Sequence, residues 1–336
     1  MISRLEFDAG WTFGPKTFAE ITGRNKLWSK DRPSFKNAVL TNPRPCPLCD
    51  KRAARSLFRS RDGWLYVKCS TCGMVYQPQP PSEKALNEYY KSGGAPQDWV
   101  QHTQQNSIEM HIDKLKFRWA LEWAGWPPRI GKTPEENSRI LDWGCSTGTL
   151  LQVASEITDP KRGPIYTSQT VGVEINDDAR KIAAERVLGT FGANGVPDNA
   201  VREYDLVCCW ETLEHVFEPL SLMRRLVAHL KPGGTMLICV PNIDALAARV
   251  MHEACPMFGM GHLSMFNAET LSYAIRRELP GARIEFNSIV SFSRELQNWI
   301  DMRDPFSADP PRETCILPRE ILNALKGYKL VAKVTT

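Results

Sequence analysis

Ile140-Leu141-Asp142-Trp143-Gly144-Cys145-Ser146-Thr147-Gly148 is the stretch that decides how this chain folds. Its first half is a short apolar run that ends in a carboxylate, and its second half is a turn of small residues. Thr147–Glu156 then reads as a helix. Gly144 and Gly148 permit backbone that other residues resist, and they let the main chain pass close to a ligand. The first turn of a helix adds N–H groups that have no partner within the helix. Strand, glycine turn and helix start together form a seat for a polar ligand. The turn alone does not say which ligand, because dinucleotide-binding folds use one as well.

Downstream, strand-like and helix-like segments alternate. Strands are expected at Arg139–Trp143, Thr170–Ile175, Tyr204–Trp210 and Thr235–Val240, with helices at Asp177–Val187 and Phe217–Leu230 between them. Alternation of this kind implies a parallel sheet covered on both faces, and short strands buried on both faces read as near-continuous apolar runs. Asp205-Leu-Val-Cys-Cys-Trp210 is such a run, so Cys208 and Cys209 read as core packing. A further helix is expected at Ala268–Arg277 and strands at Arg283–Val290 and Tyr328–Val334, around a proline-bearing insertion at 304–318. The fold class is therefore α/β: a Rossmann-like, doubly wound, seven-stranded and mostly parallel sheet.

Upstream, Ile108, Ile112, Leu115, Trp119 and Trp123 recur at helical spacing and predict a helix that packs on the α/β domain, stopped at Trp126-Pro127-Pro128. Gln77-Pro78-Gln79-Pro80-Pro81 cannot continue a helix or a central strand and marks a boundary. Ser82 is placed to cap a short helix that runs to Tyr90. The organisation expected is an N-terminal extension at 1–42, a four-cysteine module at 43–80, a helical linker at 81–130 and the α/β domain at 131–336.

The ordered blocks resemble class I S-adenosylmethionine-dependent methyltransferases. The glycine turn resembles their first motif, acid-x-Gly-x-Gly-x-Gly, with Ser146 in place of the middle glycine. Tyr204-Asp205-Leu-Val, Leu230-Lys-Pro-Gly-Gly234 and Pro241-Asn242 resemble the later blocks, so the likeness runs in order over residues 105–336. The resemblance implies that Asp142, Gly144, Cys145, Ser146 and Gly148 face the methionine and ribose end of S-adenosylmethionine. It implies that Glu174, at the end of Val171-Gly-Val-Glu174-Ile175, accepts hydrogen bonds from the ribose hydroxyls, and that Ile175 covers one face of the adenine. The adenine amine falls by spacing at Ala193 or Asn194, where Asn194 offers one acceptor, and Trp210 is expected to line the pocket.

Methyl transfer requires alignment of a nucleophile with the sulfonium methyl group and, for a hydroxyl, removal of its proton. Glu211-Thr-Leu-Glu214-His215 follows the fourth strand, where the ends of strands border the ligand crevice. As a helical turn, Glu211, Glu214 and His215 would share one face. A second histidine, His262, sits in Gly261-His262-Leu-Ser-Met-Phe266. The segment resembles that of metal-dependent O-methyltransferases, which implies a divalent ion held by Glu211, Glu214, His215 and His262. A metal-free alternative makes His215 or His262 a general base, and a glutamate that only satisfies a helix start is the third reading.

Cys46-Pro-Leu-Cys49 and Cys69-Ser-Thr-Cys72 are two CxxC pairs with 19 residues between Cys49 and Cys69. Two such knuckles supply the four thiolates that Zn(II) prefers, and Gly73 follows where a positive φ is needed. A segment this short has too little core to fold alone, so a structural zinc would supply its folding free energy. With the cysteine pairs included, the resemblance extends to zinc-ribbon methyltransferases of small molecules and glycans.

With 42% hydrophobic and 24% charged residues, the 336-residue chain reads as a globular protein of about two domains. It has no apolar run of membrane-spanning length and no signal-peptide pattern, and it reads as cytoplasmic. Residues 1–80 carry 14 Lys and Arg against 6 Asp and Glu, whereas the rest is net acidic. The expected acceptor is a small metabolite or a sugar, methylated on a hydroxyl. The basic front end leaves open an RNA methyltransferase. A non-catalytic methyltransferase-fold binding protein and a dehydrogenase complete the alternatives.

Overall fold

The computed structural model describes residues 42–60, 63–92, 107–126, 138–159, 163–164, 169–196, 202–255, 257–259, 261–289 and 327–336. Positions 1–41 of the expected extension and the insertion expected at 304–318 lie outside them. In chain order, the front of the protein holds strands β1 (Ala54–Arg59), β2 (Leu65–Cys69) and β3 (Val75–Tyr76), then helices α1 (Glu83–Ser92) and α2 (Ser107–Ala124). The main part holds β4 (Arg139–Trp143), α3 (Thr149–Glu156), a small hairpin of β5 (Thr158–Asp159) and β6 (Gly163–Pro164), β7 (Gln169–Val173) and α4 (Asp177–Arg186). It continues with β8 (Thr190–Gly192), β9 (Tyr204–Trp210), α5 (Pro219–His229), β10 (Leu230–Pro241), α6 (Leu246–Met251), β11 (Ser264–Met265), α7 (Ala268–Glu278), β12 (Arg283–Ile289) and β13 (Lys329–Thr335).

The large sheet has seven strands in the order β12-β13-β10-β9-β4-β7-β8. β4 pairs in parallel with β7 and β9, β9 with β10, and β7 with β8, while β13 runs antiparallel to both of its neighbours. This is the doubly wound α/β architecture that the alternating pattern predicts. The chain winds one way from β4 through β7 to β8 and the other way from β9 to β10, so the carboxyl ends of β4 and β9 flank the switch point.

Successive residues of β9 enter opposite core layers. Val207 and Cys209 pack with Leu222, Met223 and Leu226 of α5 and with Leu271, Ala274 and Ile275 of α7. Leu206, Cys208 and Trp210 pack with Ala120, Leu121 and Ala124 of α2 and with α3. The adjacent thiols thus serve two separate cores and cannot act as a pair. Each buried leucine of these layers is worth roughly 1.5–3 kcal/mol relative to exposure.

α2 packs on the α/β core as expected, with Trp119 and Trp123 of the expected stripe partly buried against it. Leu115 is 54% exposed, and the buried stripe runs through Ala120, Leu121 and Ala124. Two alanines let the helix approach its neighbours closely, a contact that a search for large apolar residues passes over. The helix stops at Gly125, whose φ of +81° allows Trp126 N–H to donate to Leu121 O at 2.9 Å.

The four-cysteine segment builds a second sheet in the order β1-β2-β3-β11. Its last strand comes from the α/β part: Ser264 pairs with Tyr76 and Met265 with Val75. Cys46, Leu48, Cys69 and Met74 share one core with Leu271 and Ile275 of α7. The module thus shares a strand pairing and a core with the α/β part.

Candidate functional site

β4 ends at Trp143, and the chain turns through Gly144 (φ +84°), Ser146 (φ +47°) and Gly148 (φ +76°) into α3. Gly144 is required here because a Cβ would overlap Thr212 Oγ1 and lie 2.8 Å from Thr212 Cγ2. Gly144 N–H and Cys145 N–H donate to Val173 O at 2.7 and 3.0 Å, which pins the turn to the end of β7. Ser146 stands where the resembled motif has its middle glycine and adopts the left-handed backbone that glycine tolerates best.

Glu174 bridges the two strand ends. Its Oε2 accepts from Ser146 N–H at 2.9 Å and its Oε1 from Asn176 N–H at 2.8 Å. Each oxygen retains a second acceptor position for a hydroxyl pair. Burial raises its pKa, against those N–H donors. Asp142 lies beneath, 2% exposed, with Oδ1 lacking a partner among the described residues. Burial, with Glu174 adding, pushes the Asp142 carboxyl up to about 8. A cationic ligand group would relieve both costs. Ile175 is half-buried beside Glu174; Asn194 is exposed just after β8, its carbonyl 3.5 Å from Arg225 Nη1; Cys145 is buried. Trp210 is placed in the apolar layer under α2, with its ring 5.1 Å from Phe117.

Across the switch point, 211–215 is not the helical turn that would align Glu211 with Glu214 and His215. Glu211 has φ +48°, and its N–H continues the sheet to Cys239 O at 2.8 Å. Its carboxylate pairs with Lys329 Nζ at 2.5 Å. Burial opposes ionisation of Glu211, but Lys329 outweighs it and holds the carboxyl below its ordinary value.

The ligating atoms of Glu214, His215 and His262 lie within 4.8 Å of one another. The two imidazole rings are 4.7 Å apart, and His215 Nε2 is 3.7 Å from Glu214 Oε1. His215 Nδ1 lies 2.8 Å from Gly261 O, and His262 Nδ1 lies 2.5 Å from Met257 O. A carbonyl only accepts, so each Nδ1 carries the proton and each Nε2 presents a lone pair. Burial lowers both imidazoles, His215 to about 3 with His262 adding. Glu214 is 1% exposed, neither carboxylate oxygen has a partner among the described residues, and burial raises its pKa well above the ordinary range. An unpartnered buried carboxylate is costly unless something cationic completes it. Two neutral imidazoles whose Nδ1 atoms are anchored on carbonyls form the usual outer arrangement of metal-ligating histidines. The three residues fit a divalent ion.

Tyr90 of α1 is a contact the sequence does not signal. Its hydroxyl is 2.8 Å from His215 Nδ1, and its main-chain oxygen accepts from Asn176 Nδ2 at 3.1 Å. Asn176 also caps α4 through Asp178 and Ala179, so one residue joins α1 to the end of β7. The Gly261 backbone passes so near that a Cβ there would lie 2.6 Å from the Tyr90 hydroxyl. Ser82 caps α1 as expected, accepting from Ala85 N–H at 3.3 Å.

The sulfurs of Cys46, Cys49, Cys69 and Cys72 lie within 4.8 Å of one another, with Cys46–Cys72 and Cys49–Cys69 at 3.5 Å. These edges approach the ~3.8 Å expected between thiolates around a tetrahedral zinc with ~2.3 Å bonds. Gly73 adopts φ +77° as expected. Burial pushes the Cys69 thiol up, yet the N–H groups of Cys72 and Thr71 prevail and bring it down to about 7. No helix among the described residues is long and apolar enough to cross a membrane.

Residues 117–277 match a family model described as a methyltransferase domain. The chain is 34% identical over 108 residues to a ubiquinone biosynthesis O-methyltransferase of Vibrio vulnificus, covering 31% of this chain and 44% of that protein. A protein of the same name from Bordetella pertussis is 30% identical over 139 residues, covering 39% and 51%. The chain thus spans about half the length of the curated relatives it matches. Among solved structures, a SAM-dependent methyltransferase from Archaeoglobus fulgidus aligns over 71% of this chain and 99% of its own, at 14% identity and a TM-score of 0.45.

Proposed function

We propose that this chain is an S-adenosylmethionine-dependent methyltransferase that methylates a hydroxyl of a small metabolite or glycan beside a divalent ion held by Glu214, His215 and His262. One observation carries the reading. A buried carboxylate, neither oxygen of which has a hydrogen-bond partner among the described residues, has its ligating atom within 4.8 Å of those of two histidines at the switch point of a doubly wound sheet. The methyltransferase-domain match supports the reaction, and the name of the curated relatives supports oxygen as the acceptor.

On this reading Glu174 takes the ribose hydroxyls, and the turn from Gly144 to Gly148 brings main-chain N–H groups to the methionine end. The buried Asp142 carboxyl favours the donor's positive charge. The methyl group passes in line from the sulfonium sulfur to the acceptor oxygen; the S–CH3 bond breaks, the O–CH3 bond forms, the thioether product leaves and the hydroxyl proton passes to solvent water. A divalent ion supplies Lewis acidity that lowers the hydroxyl pKa. Burial lowers both imidazoles, and a neutral imidazole is the form that ligates a metal. Two nitrogen ligands and one carboxylate suit Mn, Fe or Zn at least as well as Mg. Glu211 is assigned to Lys329 and not to the ion. The four-cysteine cluster is read as a structural zinc site, since four sulfurs fill a tetrahedral shell.

The test is methyl transfer from labelled S-adenosylmethionine to a pool of hydroxylated metabolites. Labile metal is first stripped under conditions that retain one zinc per chain, and Mn(II) is then restored. Transfer should stop on stripping and return with Mn(II). Transfer that survives stripping would remove the ion from the mechanism, and failure to bind the donor at all would remove the activity.

A further inference from the structure

The loop that carries His262 hangs on the four-cysteine module. Tyr66, in β2 three residues before Cys69, and Gln77, just after β3, are both fully buried. Tyr66 Oη lies 2.8 Å from His262 O and 3.0 Å from Gly259 O. Gln77 Nε2 lies 2.8 Å from Gly259 O and 3.0 Å from Tyr66 Oη. Three donor hydrogens meet three acceptors in a closed set, and the amide nitrogen must face the carbonyls because its oxygen could not. Gln77 N–H adds a bond to Leu263 O at 3.0 Å, and the pairing of β3 with β11 fixes Ser264 and Met265. Arg44, two residues before Cys46, donates to Gln77 O, Phe217 O and Leu263 O at 3.0, 2.8 and 3.1 Å. From the other side, Leu263 N–H and Ser264 N–H donate to Glu214 O at 2.9 and 3.2 Å.

We infer that the four-cysteine module is the scaffold that sets the His262 ring against Glu214 and His215, with Tyr66 and Gln77 as its positioning residues. The module needs no contact with substrate to matter. It supplies the donors that hold the carbonyls on either side of the ring, and the ring in turn is fixed by Met257 O within the same loop. β11 closes the module's sheet and begins two residues after His262, so a displacement of β2 or β3 reaches the histidine over a short span of chain. The inference rests on the reading above for its functional meaning, although its geometry is independent of any ion at Glu214.

The test uses the full chain, labelled with 15N in histidine, as wild type, Tyr66→Phe and Gln77→Leu, each checked to retain one zinc per chain. In the wild type, His262 should show the single-tautomer pattern of a protonated Nδ1 and a bare Nε2. In both variants this pattern should move toward the averaged values of the exposed His252, while His252 itself stays put. Tyr66→Phe removes one oxygen atom and keeps the ring, which guards against misfolding in the glutamine variant. Mn(II) affinity should fall in the same variants, because the ring that would hold the ion loses its setting. The ring pattern decides. If Tyr66→Phe and Gln77→Leu keep the wild-type His262 pattern, or the wild type lacks it, the scaffold role is overturned. A wild type that binds no Mn(II) while the variants lose the ring pattern would defeat the ion and leave the scaffold standing.

Discussion

The rings of His215 and His262 lie 4.7 Å apart, each with Nδ1 turned to a main-chain carbonyl, and His215 Nε2 lies 3.7 Å from Glu214 Oε1. Glu211, three residues before Glu214, pairs with Lys329. The two glutamates should therefore part company on substitution. Glu214→Gln keeps the volume and removes the charge, and it should cost at least ~10-fold in Mn(II) affinity, as loss of a ligand must exceed loss of an outer-shell partner. Glu211→Gln should change Mn(II) affinity far less. Calorimetric titration of both variants decides, and equal losses would return Glu211 to the ligand set.

The Asp142 carboxyl offers a test by pH. Its folded value of about 8 lies above the ordinary value of about 3.9, so its contribution to stability is present below about pH 3.9 and is lost as the pH rises to about 8. His215 works in the opposite sense: held at about 3, it costs stability as the pH falls below about 6.5. Wild type minus variant isolates the carboxyl. In the ligand-free protein, Asp142→Asn should gain on the wild type by up to ~1.4 kcal/mol per pH unit between pH 5.5 and 8, measured by urea unfolding. A gap that does not widen with pH would mean that the carboxyl stays ionised.

The sheet was legible because its signals are local. Arg139–Trp143 and Tyr204–Trp210 are apolar runs with sharp ends, and both strands fall on those residues. The glycine turn and Glu174 were legible because spacing along one βαβ unit carries them. The contacts that complete the site are not local. Tyr90 and His215 are 125 residues apart and Lys329 and Glu211 are 118 apart, and a single sequence bears no mark of either contact. A helical turn would put Glu211 on one face with Glu214 and His215, and the positive φ at Glu211 breaks that period. The weaving of the cysteine module through Ser264–Met265 was hidden for a related reason: a two-residue strand has no periodicity to detect.

Ser146 holds φ +47° in a turn where the resembled motif has glycine. Left-handed backbone costs a non-glycine residue roughly 1–2 kcal/mol, and glycine recovers most of that while giving back some chain entropy in the unfolded state. The bond from residue 146 to Glu174 Oε2 is made by the main-chain N–H and survives the change. Ser146→Gly should thus stabilise the protein by about 0.5–1 kcal/mol, seen as a higher urea midpoint at unchanged slope. A destabilised variant would mean that the hydroxyl holds the turn in a way its left-handed backbone does not suggest.

Gly144 presents the converse case, since its conformation and its surroundings both forbid a side chain. With φ +84°, alanine carries the left-handed penalty, and its Cβ would press on Thr212, which follows β9 across the switch point. Gly144→Ala should cost about 2–4 kcal/mol, combining ~1 kcal/mol or more of backbone strain with 1–3 kcal/mol of overpacking. Thr212→Ala removes Oγ1 and Cγ2 but leaves Cβ, which the new methyl would still meet at 2.9 Å. Relief in the double variant should accordingly be partial, with a coupling of about 1 kcal/mol or more in a double-mutant cycle. The same pair should couple in affinity for S-adenosylmethionine, because moving either residue moves the turn relative to the end of β9. Strict additivity in both stability and affinity would show that the turn and the Glu211–His215 segment move independently, and that the two walls of the crevice are not held in register by this contact.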